Sequence, residues 1–321
     1  MNLQTNIPLS KHSNNLIDYQ SNILLLGSCF VENIGEKLGY FKFKNLVNPF
    51  GVLFHPKAIE KLIERSLNLE YYSEKEVFFH NEQWHCFDVH SKLSNPSKDN
   101  LLKDLNNHID ASYHQLKKAT HIVITLGTAW VYHNLETQKS VANCHKVPQR
   151  QFSKKLLSVT DILESLQKIV ALVKRVNADV QIIFTVSPIR HLKDGFIENM
   201  RSKAHLLAAM HQVVESYKSK EDTDLSYFPS YEIMMDELRD YRFYAEDMIH
   251  PSQTAVNYIW EKFKEVWVFK EAQKVMEEVD IIQKGLLHRP FNPNSEAHQK
   301  FVKNLYNRKK DLENRFPTIK F

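Results

Sequence analysis

The sequence predicts an α/β protein built on a parallel sheet with helices on both sides. Three observations carry that reading. Short apolar runs, such as Asn22 to Leu26 (NILLL), His121 to Leu126 (HIVITL) and Val180 to Val186 (VQIIFTV), have the length and composition of strands buried on both faces. Amphipathic helical stretches separate them, and strands alternating with helices at this rhythm form a parallel sheet. Runs close on glycine at Gly27, Gly51 and Gly127, which puts tight turns at the carboxyl ends, where such a sheet carries its ligand site.

The first strand stops at Gly27-Ser28. Phe30, Ile34 and Leu38 then share one stripe of a helix that places Glu32, Glu36 and Lys37 elsewhere. Lys44 to Phe50 is a second short run, ending at Asn48-Pro49-Phe50-Gly51, and Pro56 opens a helix in which Ile59, Leu62, Ile63 and Leu67 share a face. Alternation from Val77 to Val89 around Asn81-Glu82 predicts an inserted hairpin. Leu101 to Leu116 is helical and leads into the β-branched strand His121 to Leu126. Trp130 to Val147 holds strand-like pieces, a polar turn at Asn134 to Lys139, and the cluster Asn143-Cys144-His145-Lys146, together a second excursion above the sheet.

Val159 to Val176 is a helix, and Val180 to Val186 is a fourth strand ending at Ser187-Pro188. A helix from Met200 to Lys218 and a short fifth strand from Leu225 to Phe228 follow. Ser252 is a natural N-cap for a long helix whose stripe runs from Ala255 through Ile259 and Phe263 to Trp267. Residues 1–286 read as one domain with insertions. Residues 287–321, with Pro290, Pro293, Pro317 and one helical piece from Glu296 to Leu312, read as an extension packed on that domain, since they offer no core of their own.

Composition narrows the function classes. Of 321 residues, 43% are hydrophobic and 25% charged, as in an ordinary globular protein. Lys+Arg 42 against Asp+Glu 38 leaves +4, too mild and dispersed for a nucleic-acid footprint. No segment reaches the roughly 18 apolar residues of a membrane span, and Met1 to Gln20 holds no apolar run of signal-peptide length, so neither nucleic acid nor membrane is an expected partner. The seven glycines allow neither GxGxxG nor GxxxxGK[ST]. Cys29, Cys86 and Cys144 form an odd set with no CxxC, which fits a reducing compartment, and a cytoplasmic location is expected. The oligomeric state is not readable.

In a parallel sheet Gly27, Gly51 and Gly127 would ring one site. Ser28 would sit at the N-terminus of the following helix, where free amides and the helix dipole favour a negatively charged oxygen. A serine hydroxyl needs a base within hydrogen-bond reach and a group to orient that base. Asp247-Met248-Ile249-His250-Pro251-Ser252 supplies both, with Pro251 stiffening the turn and Ser252 tying it to a helix. Each residue has a plainer reading: Ser28 as a helix cap, His250 as one of 16 histidines, Asp247 as a solvated acid. Their combination, in this order and on this fold, favours a catalytic triad.

Adjacent cysteine and histidine at His85-Cys86 and Cys144-His145 would point to opposite strand faces, so no metal site is expected, nor any organic cofactor. Cys29 is a rival nucleophile, better read as a small buried residue in the first helical turn. Arg190 and His191 follow the fourth strand and would overhang the same rim, either as holders of a polar or anionic substrate group or, the plainer reading, in a surface salt bridge.

Taken in order, GSCF at Gly27 to Phe30, NPFG at Asn48 to Gly51, LGTAWVY at Leu126 to Tyr132, NCHK at Asn143 to Lys146 and DMIHPS at Asp247 to Ser252 resemble the GSCFA family, which is related to the GDSL/SGNH hydrolases. The resemblance runs from about Asn22 to Leu312. It implies a flavodoxin-like three-layer α/β/α fold on a mainly parallel five-stranded sheet, with Ser28 as nucleophile and Asp247 and His250 completing the triad. One departure stands out. Those hydrolases place an asparagine just after the third glycine as an oxyanion donor, whereas here Gly127 is followed by Thr128-Ala129-Trp130. Thr128 through its hydroxyl, or Asn143 or His145 from the excursion, are the alternatives for that donor.

The expectation is therefore a serine esterase cleaving an acyl ester on a carbohydrate or other small polar carrier. The amides of Ser28 and Gly51, with Thr128, would hold the oxyanion, and Asn143, His145 and Arg190 would contact substrate. An acyltransferase using the same acyl-enzyme is the near alternative. A catalytically silent binding module on the same scaffold is the distant one, favoured by the missing asparagine.

Overall fold

Consecutive residues of the first strand bury in different cores. In the computed structural model, which describes residues 5–217 and 224–321, Leu24 and Leu26 join one apolar cluster, and Ile23 and Leu25 join another. A strand buried on both faces must lie inside a sheet with a helical layer on each side.

The chain begins with β1 (Asn22–Gly27), α1 (Cys29–Tyr40), β2 (Lys44–Val47) and α2 (Pro56–Leu67), followed by a hairpin of β3 (Phe78–His80) and β4 (Gln83–His85). Next, α3 (Lys98–Lys118) leads into β5 (His121–Leu126). Strands β6 (Trp130–Asn134), β7 (Ser140–Val141) and β8 (Phe152–Leu156) then pair antiparallel as a separate sheet, ordered β7-β6-β8. The chain continues through α4 (Val159–Val176), β9 (Gln181–Val186), α5 (Phe196–Tyr217), β10 (Leu225–Tyr227) and α6 (Ser230–Glu232). It ends with α7 (Gln253–Trp267), α8 (Lys270–Leu287) and α9 (Glu296–Arg315).

The main sheet is wholly parallel, in the order β2-β1-β5-β9-β10. This is the flavodoxin-like order. The chain winds outward from β1 in one direction to β2 and in the other through β5, so the loops leaving β1 and β5 part and open a crevice at their carboxyl ends. One layer packs α2 on α3 and α4, and α4 on α5. The other contains α1, α7 and α8, with Leu312 of α9 and Ile319 beyond it buried in the same cluster.

Local chemistry explains most boundaries. Pro56 stands at the first turn of α2, and the side chain of His55 accepts the Ala58 amide. Asn81 and Glu82 both take positive φ, 45° and 61°, as a two-residue hairpin turn requires. Ser252 caps α7 by accepting the Ala255 amide. Two elements differ from the sequence reading. β8 was not anticipated, because Phe-Ser-Lys-Lys-Leu carries little strand signal beyond its pairing with β6. The helix capped by Ser252 ends with its apolar stripe at Trp267, as read from the sequence, because Ile17 donates its amide to Trp267 O and accepts that of Phe269, which pulls Val268 out of helical geometry. The helix expected from Met200 to Lys218 begins earlier, at Phe196, and Lys218 lies outside the described residues. Among the described residues, no helix is long and apolar enough to cross a membrane.

Candidate active site

β1 ends where only glycine fits. Gly27 has φ +133°, and a Cβ there would stand 2.0 Å from the Thr125 carbonyl oxygen of β5. The next residue, Ser28, occupies the N-cap position of α1 with φ −71° and ψ 169°, but its side chain makes no capping hydrogen bond. Its hydroxyl is buried at 0% exposure and has no hydrogen-bond partner among the described residues. Leaving a buried hydroxyl unsatisfied costs about 1–3 kcal/mol, so the capping role alone does not account for a serine here.

Gly127, at the end of β5, meets Ser28 across the crevice. A Cβ built on Gly127 would lie 3.0 Å from His191 Nε2, 3.2 Å from Phe54 Cδ1 and 3.2 Å from Ser28 Cβ. These three side chains therefore converge on one point. The His191 Nε2 atom is also buried and without a partner among the described residues. Burial, then the charge of Lys203 and that of His250, hold the His191 imidazole down to about 3, so it is neutral throughout the physiological range.

Below this point lies Lys203, on the apolar stripe of α5 and 1% exposed. Its ammonium donates to Gly127 O and Ser187 O, each at 2.7 Å, and so joins the ends of β5 and β9. Burial lowers its pKa to about 7. Asn199 and Ser202 of the same helix brace the neighbouring loops. Asn199 accepts the His191 amide at 2.9 Å and Ser202 accepts the Ala129 amide at 2.7 Å.

Asp247 and His250 form the second half of the site. His250 Nδ1 lies 2.6 Å from Asp247 Oδ2, and the other carboxylate oxygen accepts the amides of Ile249 and His250. The His250 amide, its ring and the Ile249 amide together hold the Asp247 carboxyl down to about 2. Met248 takes φ 56°, and Ala245 donates its amide to His250 O, so the turn is fixed locally. It is clipped to the loop after β9 where the Arg190 amide donates to Ile249 O.

The two halves border one cleft of about 570 Å³ at the carboxyl edge of the sheet, lined by Cys29, Thr128, His191 and His250 among others. Ser28 lies behind its wall and makes no hydrogen bond to His250. Asn143 and Arg190 line the cleft, with the Arg190 guanidinium 4.0 Å from the Tyr244 ring centroid. His145 does not. Its Nε2 faces Cys86 O at 2.7 Å, and burial first among the causes lowers its pKa to about 4. Trp130 and Tyr132 of the excursion complete an aromatic wall. A larger groove of about 720 Å³ between α1, α7 and α8 holds none of the expected site residues.

The expected oxyanion donors are already engaged. The Ser28 amide donates to Thr125 O at 2.9 Å, the Gly51 amide to Asn48 O at 2.7 Å, and the Thr128 amide to Phe54 O at 3.0 Å. The Thr128 hydroxyl pairs with Ser202 Oγ and accepts the Trp130 amide. Gly51 also stands apart from the other two glycines: a Cβ on it would meet His90, and it lines a small apolar cavity. Sequence reasoning missed Lys203. The available signal was a lysine in register with Leu206, Met210 and Val213 on a buried helix face. It placed His191 at the rim with Arg190, as a holder of a polar or anionic group. Among the described residues, no cluster of three or more His, Cys, Asp or Glu could hold a metal ion.

The chain is a doubly wound parallel α/β protein, with a crevice at its switch point and an aspartate–histidine pair on the rim. More narrowly, the chain belongs to the GSCFA family, whose profile matches residues 22–263, and the profile of the GSCFA domain protein C-terminal domain matches residues 279–321. Among solved structures it is similar to a candidate platelet activating factor from Streptococcus pneumonia, with 13% identity, a TM-score of 0.39, and 76% of this chain and 83% of that one covered. It is also similar to a carbohydrate esterase family 3 protein from Talaromyces cellulolyticus (9%, TM-score 0.31, 81% and 99% covered). A third is the acetyl xylan esterase Est2A from Butyrivibrio proteoclasticus (11%, TM-score 0.34, 86% and 68% covered). No curated protein matches the chain. Its chemistry is read from its own side chains.

Proposed function

We propose that this protein is a serine esterase of the SGNH type, acting on an acyl ester carried by a sugar or other small polar molecule. The observation that carries the reading is the Ser28 hydroxyl. It is buried, caps nothing, has no partner among the described residues, and lies just behind the wall of the cleft whose rim holds the Asp247–His250 pair.

In this reading Ser28 Oγ attacks the ester carbonyl and His250 Nε2 takes its proton. Asp247 holds the His250 Nδ1–H and steadies the imidazolium that forms. The proton then passes to the departing alkoxide, and a water repeats the sequence on the acyl-enzyme. Because Ser28 is fully enclosed, its side chain must rotate toward the cleft, or the rim must open, when substrate arrives. Asn143 and Arg190, which line the cleft, would contact the polar carrier, and Trp130 and Tyr132 would give it an apolar face.

A second reading, a catalytically silent binding module, draws support from the engaged amides of Ser28, Gly51 and Thr128 and from the missing Ser28–His250 hydrogen bond. One experiment separates the two. A fluorophosphonate should modify Ser28 alone, located by mass mapping, and hydrolysis of an aryl acetate should collapse in Ser28→Ala and in His250→Ala. The double variant should be hardly worse than either, because nucleophile and base fail at the same step. Multiplicative losses, or labelling that persists in Ser28→Ala, would remove the esterase reading.

A further inference from the structure

We infer that the side chain of His191 is the oxyanion donor of this site, its Nε2–H hydrogen-bonding the ester carbonyl oxygen as Ser28 attacks. The inference rests on the esterase reading and deepens it. Two buried polar atoms without partners among the described residues, Ser28 Oγ and His191 Nε2, belong to side chains that converge on the same face of Gly127. Each unsatisfied atom destabilises the folded protein unless a ligand completes it. An ester carbonyl completes both, its carbon meeting the hydroxyl and its oxygen the imidazole.

Of the competing donors, the Ser28, Gly51 and Thr128 amides each already donate to a backbone carbonyl, and His145 faces the Cys86 carbonyl away from the cleft. His191 is also held rigidly. Asn199 accepts its amide at 2.9 Å, and its ring stands edge-on to Phe54, with centroids 5.4 Å apart and planes at 81°. Burial and the charge of Lys203 keep the imidazole neutral. A neutral imidazole makes a poor base at such a low pKa but a sound donor, since it polarises a carbonyl without surrendering its proton. As the Ser28 Oγ–carbon bond forms, the carbonyl π pair moves onto oxygen and the serine proton goes to His250. His191 keeps its own proton and strengthens its hydrogen bond to the growing charge. On collapse the carbonyl reforms, and the alkoxide leaves with the proton from His250.

The test compares wild type, Ser28→Ala, His191→Ala and His191→Gln in fluorophosphonate labelling of Ser28 and in aryl acetate hydrolysis, with thermal melting as the fold control. His191→Ala should lower both the labelling rate and kcat by about 10²–10³-fold, the range for losing one oxyanion donor, with KM changed only a few fold. His191→Gln, which restores an N–H, should recover at least about tenfold of that loss. If the alanine variant does not melt cooperatively, the glutamine variant and imidazole ¹⁵N NMR of wild type decide, with the Nε2–H tautomer expected at neutral pH. Wild-type labelling beside undiminished labelling of His191→Ala would overturn the His191 role and leave the esterase standing. Equal loss in both variants with a displaced acid limb of the pH profile would make His191 a base and overturn the donor role. A wild type that neither labels nor hydrolyses any ester would overturn the esterase reading, and this inference with it.

Discussion

Asp247 and His250 are 46% and 48% exposed in their side chains, whereas Ser28 is 0% and Lys203 1% exposed, although the proposed site combines all four. The exposed half is built by the chain locally: one turn of six residues supplies the carboxylate, the imidazole and the amides that fix them. The buried half is assembled from the ends of β1, β5 and β9 and from the first turns of α5, none adjacent in sequence. Charges in water interact weakly and can exchange partners with solvent. Buried polar groups interact strongly and have no substitute when a partner is lost. The two halves should therefore respond differently to comparable substitutions.

The largest effect expected in the exposed half comes from Asp247→Asn. The amide keeps an oxygen for the Ile249 and His250 N–H groups, so the turn should hold. It loses the carboxylate that receives the His250 ring proton. In an enclosed serine-protease triad the same change costs about 10⁴ in kcat. Here water can reach the imidazole and take over part of the orienting task, so a loss on the order of 10² is expected. Steady-state kinetics on an aryl acetate check it. A full 10⁴ loss would mean that substrate seals the pair from solvent, and no loss would remove Asp247 from the mechanism.

In the buried half, Lys203→Met tests the ammonium that joins Gly127 to Ser187. An unfolded lysine titrates near 10.4, whereas burial brings the folded pKa to about 7. Between those values the unfolded chain binds a proton that the folded chain lacks, so stability rises with pH across that window. Below about 7 both states carry the proton and the penalty is complete. The methionine variant removes this dependence. The wild-type advantage in unfolding free energy should grow from pH 7 to pH 10 by up to a few kcal/mol. Denaturant titrations of both proteins at several pH values read that difference directly. A constant difference across the window would show that folding does not neutralise Lys203.

The same division marks what the sequence could reveal. The buried strands were legible because NILLL, HIVITL and VQIIFTV have no polar face to hide. The helices were legible through their stripes and through Pro56 and Ser252. Asp247 and His250 could be paired from their spacing alone, since three residues in a turn leave few other arrangements. The convergence of His191, Phe54 and Ser28 on Gly127 depends on how far each loop travels beyond its strand, which spacing does not encode. The stripe shows that α7 ends at Trp267, but the cause was illegible for a similar reason, since no glycine or proline marks it and it is Ile17, some 250 residues away. Gly51 and His145 carry motif positions, yet tertiary packing commits one to a turn beside His90 and the other to the Cys86 carbonyl.

The smallest effect is expected where the two halves meet the cleft wall, at Cys29. Its thiol borders the cleft while the Ser28 hydroxyl beside it does not, so exposure alone would favour sulfur as the nucleophile. Electrostatics argue the reverse: burial first, then the charge of Glu32, raises the Cys29 pKa, which leaves little thiolate at neutral pH. Cys29→Ala should accordingly keep activity within a few fold of wild type and cost about 1 kcal/mol or less in stability, as expected for trimming a small half-buried hydrophobe. Iodoacetamide supplies the second arm. If it slows wild type, it should do so by placing an added group in the cleft, and Cys29→Ala should be both active and resistant. An alanine variant that folds but has lost turnover would transfer the nucleophile from oxygen to sulfur, and the buried half of the site would then owe its unsatisfied Ser28 hydroxyl to something other than catalysis.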